Sequence, residues 1–106
     1  MSEQPRIDLS PEQWLIVRDI LRQQVPDCEV WAFGSRVAKA AKRFSDLDIV
    51  VKGTVSPGLS RLVELKEALT ESALPFKVDV VEWTSTEASF RRIIDQQKVL
   101  LQDMKN

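Results

Sequence analysis

The segment Ser45-Asp46-Leu47-Asp48-Ile49-Val50-Val51-Lys52 places the strongest limit on what this chain can fold into. Its first half alternates acidic and apolar residues and its second half is a β-branched apolar run, the pattern of a central strand entering a core. Two further segments read as strands. Glu29-Val30-Trp31-Ala32-Phe33 is β-prone and ends abruptly at Gly34-Ser35, and Lys77-Val78-Asp79-Val80-Val81-Glu82-Trp83 has the same apolar density.

Helical periodicity fills the spaces between these strands. Ser10 is placed to cap a helix, with Pro11 in its first turn and Gln13 at the capping-box position. Trp14, Val17, Leu21 and Val25 then repeat at helical spacing until Pro26. Arg36 to Arg43 reads as a short basic helix, and Gly53 to Gly58, with Pro57, as a loop. Leu59, Leu62, Leu65 and Leu69 mark a third helix that ends near Ala73-Leu74-Pro75. Thr84 and Glu87 form a second capping-box pattern ahead of Phe90, Ile93, Ile94, Gln97, Leu101 and Met104, which lie along one face of a long final helix. The predicted order is α-β-α-β-α-β-α, an α/β fold with a small mixed sheet flanked by helices. At 106 residues the chain suits one domain, spanning residues 1–106.

Inventory then narrows the chemistry. The chain has no histidine, which excludes Cys–His and Ser–His–Asp catalysis and His-ligated zinc. Its one cysteine, Cys28, cannot form an internal disulfide and suits a reducing compartment. Fifteen basic against 16 acidic side chains leave a net charge of −1, so no global field gathers nucleic acid, and direct nucleic-acid binding is not expected. The first ten residues lack a signal pattern and no apolar run approaches the roughly 20 residues of a membrane span. A cytoplasmic protein without a membrane partner is the expectation. Chemistry must run on carboxylates, hydroxyls, lysine, arginine, backbone dipoles or a hard metal ion.

Asp46 and Asp48 are two apart on a predicted strand, so both leave one face while Leu47 and Ile49 enter the core. At on the order of 7 Å between α-carbons their repulsion would raise a pKa unless a cation lay between them. Hard oxygen donors suit Mg²⁺ or Mn²⁺, completed by waters and substrate phosphates. Asp79, flanked by Val78 and Val80, is a third carboxylate within an apolar strand, where a charge needs a partner. Gly34-Ser35 joins a strand to a predicted helix, so close backbone approach, a hydroxyl and helical N–H groups can face a phosphate. Arg36, Lys39 and Arg43 recur at helical spacing; Arg36 is the one retained as a triphosphate ligand, since a lysine-rich helix face is usually just solvated. An isolated Asp-x-Asp can simply cap a turn. Trp14, Trp31 and Trp83 are better read as core than as base-stacking platforms.

Gly34-Ser35, ten residues, Asp46-Leu47-Asp48 and a later Asp79 together resemble the nucleotidyltransferase signature of the DNA polymerase beta superfamily. The likeness is nearest to the minimal, MntA-type nucleotidyltransferases, small catalytic domains encoded beside an all-helical HEPN protein. It is carried by Val30-Trp31-Ala32-Phe33-Gly34-Ser35-Arg36 and Ser45-Asp46-Leu47-Asp48-Ile49-Val50-Val51. The resemblance implies a polymerase beta-like catalytic fold and transfer of AMP, or another nucleotide, from a nucleoside triphosphate such as ATP to a hydroxyl. It further implies that Asp46, Asp48 and Asp79 hold two Mg²⁺ ions, with Asp79 helping to deprotonate the acceptor, and that Gly34, Ser35 and Arg36 orient the nucleotide. The implied acceptor is a tyrosine hydroxyl on a HEPN ribonuclease toxin, which makes the chain an antitoxin. Two alternatives stay open: a binding antitoxin or scaffold without turnover, and a transferase acting on a small-molecule hydroxyl such as that of an aminoglycoside. Oligomeric state is left open.

Overall fold

The structure, a computed structural model, describes residues 5–37, 45–53 and 58–103. Helix α1 spans Pro11–Gln24, strand β1 Glu29–Phe33, β2 Leu47–Lys52, α2 Leu59–Glu71, β3 Val78–Glu82, α3 Ala88–Gln96 and β4 Val99–Gln102. A single 3-10 turn, Trp83–Ser85, stands between β3 and α3.

The start of α1 is set by its cap. Gln13 N–H donates to Ser10 Oγ at 3.2 Å while Ser10 N–H donates to Gln13 Oε1 at 2.9 Å, so two otherwise unpartnered donors are satisfied reciprocally. Trp14, Val17 and Leu21 are buried along one face, and Val25, one residue before Pro26, is the C-cap.

The sheet runs β3-β2-β1-β4. Strand β2 is antiparallel to β1 and parallel to β3, and β4 closes the other side of β1 antiparallel. A parallel pair needs a crossover, and α2 supplies it between β2 and β3. On one face Leu47, Ile49, Val51, Val30, Ala32 and Val80 are buried in the main core beneath α1 and α2. On the opposite face a smaller cluster of Phe33, Val50 and Ile94 seats α3, with Trp31, Val81 and Trp83 packed against it. Among the described residues the two faces are thus unequally covered.

Three expectations from the sequence change. The long final helix stops at Gln96, and Val99–Gln102 forms a fourth strand. The reason is long-range: β1 would otherwise present a row of unpaired N–H and C=O groups, and β4 pairs them, with Val30 opposite Gln102 and Ala32 opposite Val99. Gln102 Nε2 adds donated bonds to the carbonyls of Val25 (2.7 Å) and Cys28 (2.9 Å). The expected Thr84–Glu87 box does not form: Thr84 lies in the 3-10 turn, and Glu87 is the N-cap of α3 without a side-chain bond. Of the expected basic helix, Ser35–Val37 is a turn, and Lys39, Lys42 and Arg43 lie outside the described residues, as does Met104. No helix among the described residues is long and apolar enough to cross a membrane.

Leu21→Ala, at a fully buried position, is expected to destabilise the fold by about 2–5 kcal/mol, whereas Ser10→Ala, which removes only the cap, costs about 1 kcal/mol. Urea unfolding midpoints of the two variants against the parent would establish the ranking.

Candidate active site

Register brings the carboxylates together. In the parallel pair β2–β3, Asp48 stands directly opposite Asp79, and across the antiparallel pair it stands opposite Phe33. Because side chains alternate, Asp48 and Asp79 both leave the lightly covered face while Leu47, Ile49 and Val80 enter the main core. Asp46 is exposed and sits one residue ahead of β2 rather than within it. Among the described residues no three carboxylates are close enough to form a ready-made metal cage. The pair Asp48–Asp79 is built by the sheet, and Asp46 stands outside it.

The Asp48 carboxyl shows what this crowding does. Its pKa is pushed above the ordinary 3.8, first by burial, then by the negative charges of Asp79 and Asp46. Asp79 has a nearer cation: Lys77 Nζ lies 3.5 Å from its Oδ1, at an exposed position where one such pair contributes little to stability. The donor set of two or three carboxylate oxygens, crowded and under-compensated by positive charge, fits a hard divalent ion.

Gly34 completes the floor. Its φ of +82° is a conformation L side chains rarely adopt, and a Cβ built on it would lie only 2.4 Å from Asp48 Oδ2. Glycine is therefore required twice over, for the turn and for the approach of the backbone to the carboxylate. Val37 N–H donates to the Gly34 carbonyl at 3.1 Å, closing a turn that carries Ser35, half-buried, at its first central position.

Arg36 is not where its expected role would put it. The side chain is 4% exposed, and its guanidinium faces inward. Nε and Nη2 donate to the Ser45 carbonyl at 3.0 and 2.8 Å, Nη1 donates to the Asp8 carbonyl at 2.6 Å, and the group lies 3.9 Å from the centre of the Phe76 ring. Burial draws its pKa down, opposed by the charges of Asp8 and Asp46, yet an arginine stays protonated.

Above Gly34, Asp48 and Asp79 opens a cleft of about 1090 Å³. That is the size of a small-molecule site. Lys66 and Thr70 of α2 and Lys77 line one side; Phe90, Ile93, Gln96 and Gln97 line the other. The sequence reading missed Lys77 and misassigned Ile93. Lys77 was within reach of the period-two rule, since it shares a face with Asp79. Ile93 and Ile94 are adjacent, so a helix cannot turn both into one core; Ile94 is buried and Ile93 is 59% exposed on the cleft wall. Trp14 is core, while Trp31 and Trp83 are half-buried beside α3, with Lys98 over the first and Lys52 and Arg91 over the second. Cys28 is buried, which raises its thiol pKa and keeps it unreactive.

The family described as Polymerase beta, Nucleotidyltransferase matches residues 17–106. A probable protein adenylyltransferase MntA of Haemophilus influenzae is 42% identical over 103 residues, covering 97% of this chain and 90% of that protein. A protein adenylyltransferase MntA of Thermococcus cleftensis is 35% identical over 74 residues, covering 70% of this chain and 74% of its own. Among solved structures, a toxin–antitoxin crystal structure with AMP-PNP superposes with a TM-score of 0.73 at 26% identity, covering 87% of this chain and 74% of that one. A complex of a tri-AMPylated Shewanella oneidensis HEPN toxin with its MNT antitoxin gives a TM-score of 0.62 at 25% identity, covering 83% of this chain and 71% of that one.

Because the Asp48 pKa in the folded protein is raised above 3.8, this carboxyl favours folding below that pH and opposes it as pH rises through the raised value. Asp48→Asn is therefore expected to raise the thermal unfolding midpoint of the metal-free protein at neutral pH. The gain should fade as the pH falls toward 3.8, a trend that calorimetric scans across pH would record.

Proposed function

As the chain belongs to the polymerase beta nucleotidyltransferase family, we propose that it is a Mg²⁺-dependent protein adenylyltransferase that transfers AMP from ATP to a hydroxyl on a HEPN-type helical partner. The observation that carries this reading is the contact between the Gly34 turn and Asp48, with Asp79 in register beside it. A phosphate-orienting turn and a carboxylate pair meet at one point of one cleft. The relative solved with AMP-PNP supports a nucleoside triphosphate as donor, and the relative solved with an AMPylated HEPN toxin supports such a toxin as acceptor. On this reading the chain is an antitoxin of the cytoplasm, and residues 1–106 act as one catalytic domain.

Asp46, Asp48 and Asp79 would hold the divalent ions, Mg²⁺ in preference to Mn²⁺. When bound, such ions activate the acceptor hydroxyl and neutralise charge on the leaving phosphates. The protein's own groups do the rest. Ser35 and the N–H groups of its turn orient the triphosphate so that the α-phosphorus faces the acceptor. Asp79 takes the proton of the attacking hydroxyl as its oxygen bonds to the α-phosphorus. The bond from that phosphorus to the bridging oxygen breaks and pyrophosphate leaves in line, on the side of the phosphorus away from the acceptor and Asp79. Phe90 and Ile93 give the opposite wall an apolar surface.

A second reading, neutralisation of the partner by contact alone, is favoured by the exposure of Ile93 and Phe90. The variant Asp46→Asn, Asp48→Asn, Asp79→Asn separates the two. Loss of protection against the toxin while the complex still forms supports catalysis, and undiminished protection supports binding alone.

With labelled ATP, Mg²⁺ and the partner, Asp46→Asn plus Asp48→Asn is expected to lower transfer at least about 10³-fold; robust residual transfer would sink the assigned mechanism. The two positive-φ glycines supply a sharper comparison. Gly34→Ala and Gly58→Ala each cost about 1–3 kcal/mol of backbone strain, but only at Gly34 does the new methyl displace Asp48. Transfer is expected to fall in Gly34→Ala and to persist in Gly58→Ala.

A further inference from the structure

Asp48 and Asp79 are aimed by the sheet, but Asp46 lies outside the ladder and needs another device. Its backbone is held from two sides. Leu47 N–H, immediately after it, donates to the Lys77 carbonyl at 2.9 Å. The Ser45 carbonyl, which belongs to the peptide unit joining Ser45 to Asp46, accepts two bonds from the Arg36 guanidinium at 3.0 and 2.8 Å. Fixing the plane of that peptide restricts the direction in which the Asp46 side chain leaves the backbone.

The same guanidinium reaches the N-terminal segment. Arg36 Nη1 donates to the Asp8 carbonyl at 2.6 Å, and Asp8 N–H returns a bond to the Arg36 carbonyl at 2.9 Å. Ile7 and Leu9, on either side of Asp8, are buried in the main core and anchor this segment. The Phe76 ring packs against the guanidinium, 3.9 Å from its Cζ to the ring centre. A lysine ammonium lacks the planar donor fork of arginine. The segment containing Asp8 precedes residues 17–106, the span matched by the family.

We propose that Arg36 is a positioning residue that aims Asp46, and that the N-terminal segment Ile7–Leu9 belongs to the scaffold of the metal site through it. Arg36 also directly follows Ser35, so one side chain ties the phosphate turn, the Asp46 peptide and the N-terminal segment into a single unit. This inference rests on the metal role given to Asp46 and Asp48 above.

Coupling is reciprocal, so ion binding at Asp46 must also steady Asp8. In the unaltered protein, hydrogen exchange at the Asp8 amide is expected to slow when Mg²⁺ and a non-hydrolysable ATP analogue are added; an unchanged rate overturns the proposal. Mn²⁺ titration followed by electron paramagnetic resonance supplies the second readout. For Arg36→Lys the Mn²⁺ dissociation constant is expected to rise about tenfold or more, with kcat falling on the order of 100-fold and the KM for ATP changing far less. Circular dichroism checks that the variant is folded. If it is not, Ile7→Ala, which loosens the segment while leaving the guanidinium intact, is expected to raise the Mn²⁺ dissociation constant by a smaller factor. Folded Arg36→Lys with unaltered Mn²⁺ affinity and kcat overturns the inference but leaves the metal site standing. Failure of the unaltered protein to bind Mn²⁺ overturns both.

Discussion

The parallel pairing of β2 with β3 is the constraint on which the rest depends. It sets Asp48 against Asp79, two like charges facing across a strand pair, an arrangement that disfavours the sheet by itself. Two unit charges about 4 Å apart repel by about 1 kcal/mol in water and about 4 kcal/mol near a protein surface. The opposite face offsets this, because Leu47, Ile49 and Val80 of the same strands are buried beneath α1 and α2, each contributing about 1.5–3 kcal/mol. One face of the sheet therefore supplies the stability that lets the other hold an unfavourable cluster of charge.

That division also explains the cleft. Two long helices cover the core face, while among the described residues the site face carries α3, nine residues seated through Ile94. The helix stops at Gln96. The chain then turns back to pair with β1, which repairs the sheet edge and leaves Asp48 and Asp79 accessible. Crossover α2, obligatory for a parallel pair, contributes Lys66 and Thr70 to the rim. Stability, access and local charge are set by the same few connections.

Much of this was legible in the residues. The capping box of α1 appears as written in Ser10 and Gln13, because both partners lie within one turn. β1 spans the expected residues, and β2 and β3 fall within the segments expected for them, because alternation and β-branching are local signals. The glycine at position 34 was expected to let a phosphate approach the backbone; the close neighbour in the structure is the Asp48 carboxylate. By contrast, α3 and β4 were read as one helix, since Leu101 fits a helical stripe and nothing local reports the empty edge of β1. Arg36 was read as a phosphate ligand because a basic residue after Gly-Ser is a natural one. Its inward direction depends on carbonyls at Asp8 and Ser45 that come near it only once the chain has folded.

Sequence by itself determined the chemical alphabet of the site, carboxylates without histidine beside a glycine turn, and the alternation that sends Asp48 and Asp79 away from the core. These follow from composition and from spacings of a few residues. Tertiary structure alone decided that Asp48 meets Asp79 in register, that Asp46 stands ahead of its strand, that Arg36 points inward, and that Val99–Gln102 is a strand. Each depends on backbone groups far apart in sequence finding partners, and a hydrogen bond between distant residues leaves no period in the sequence to read.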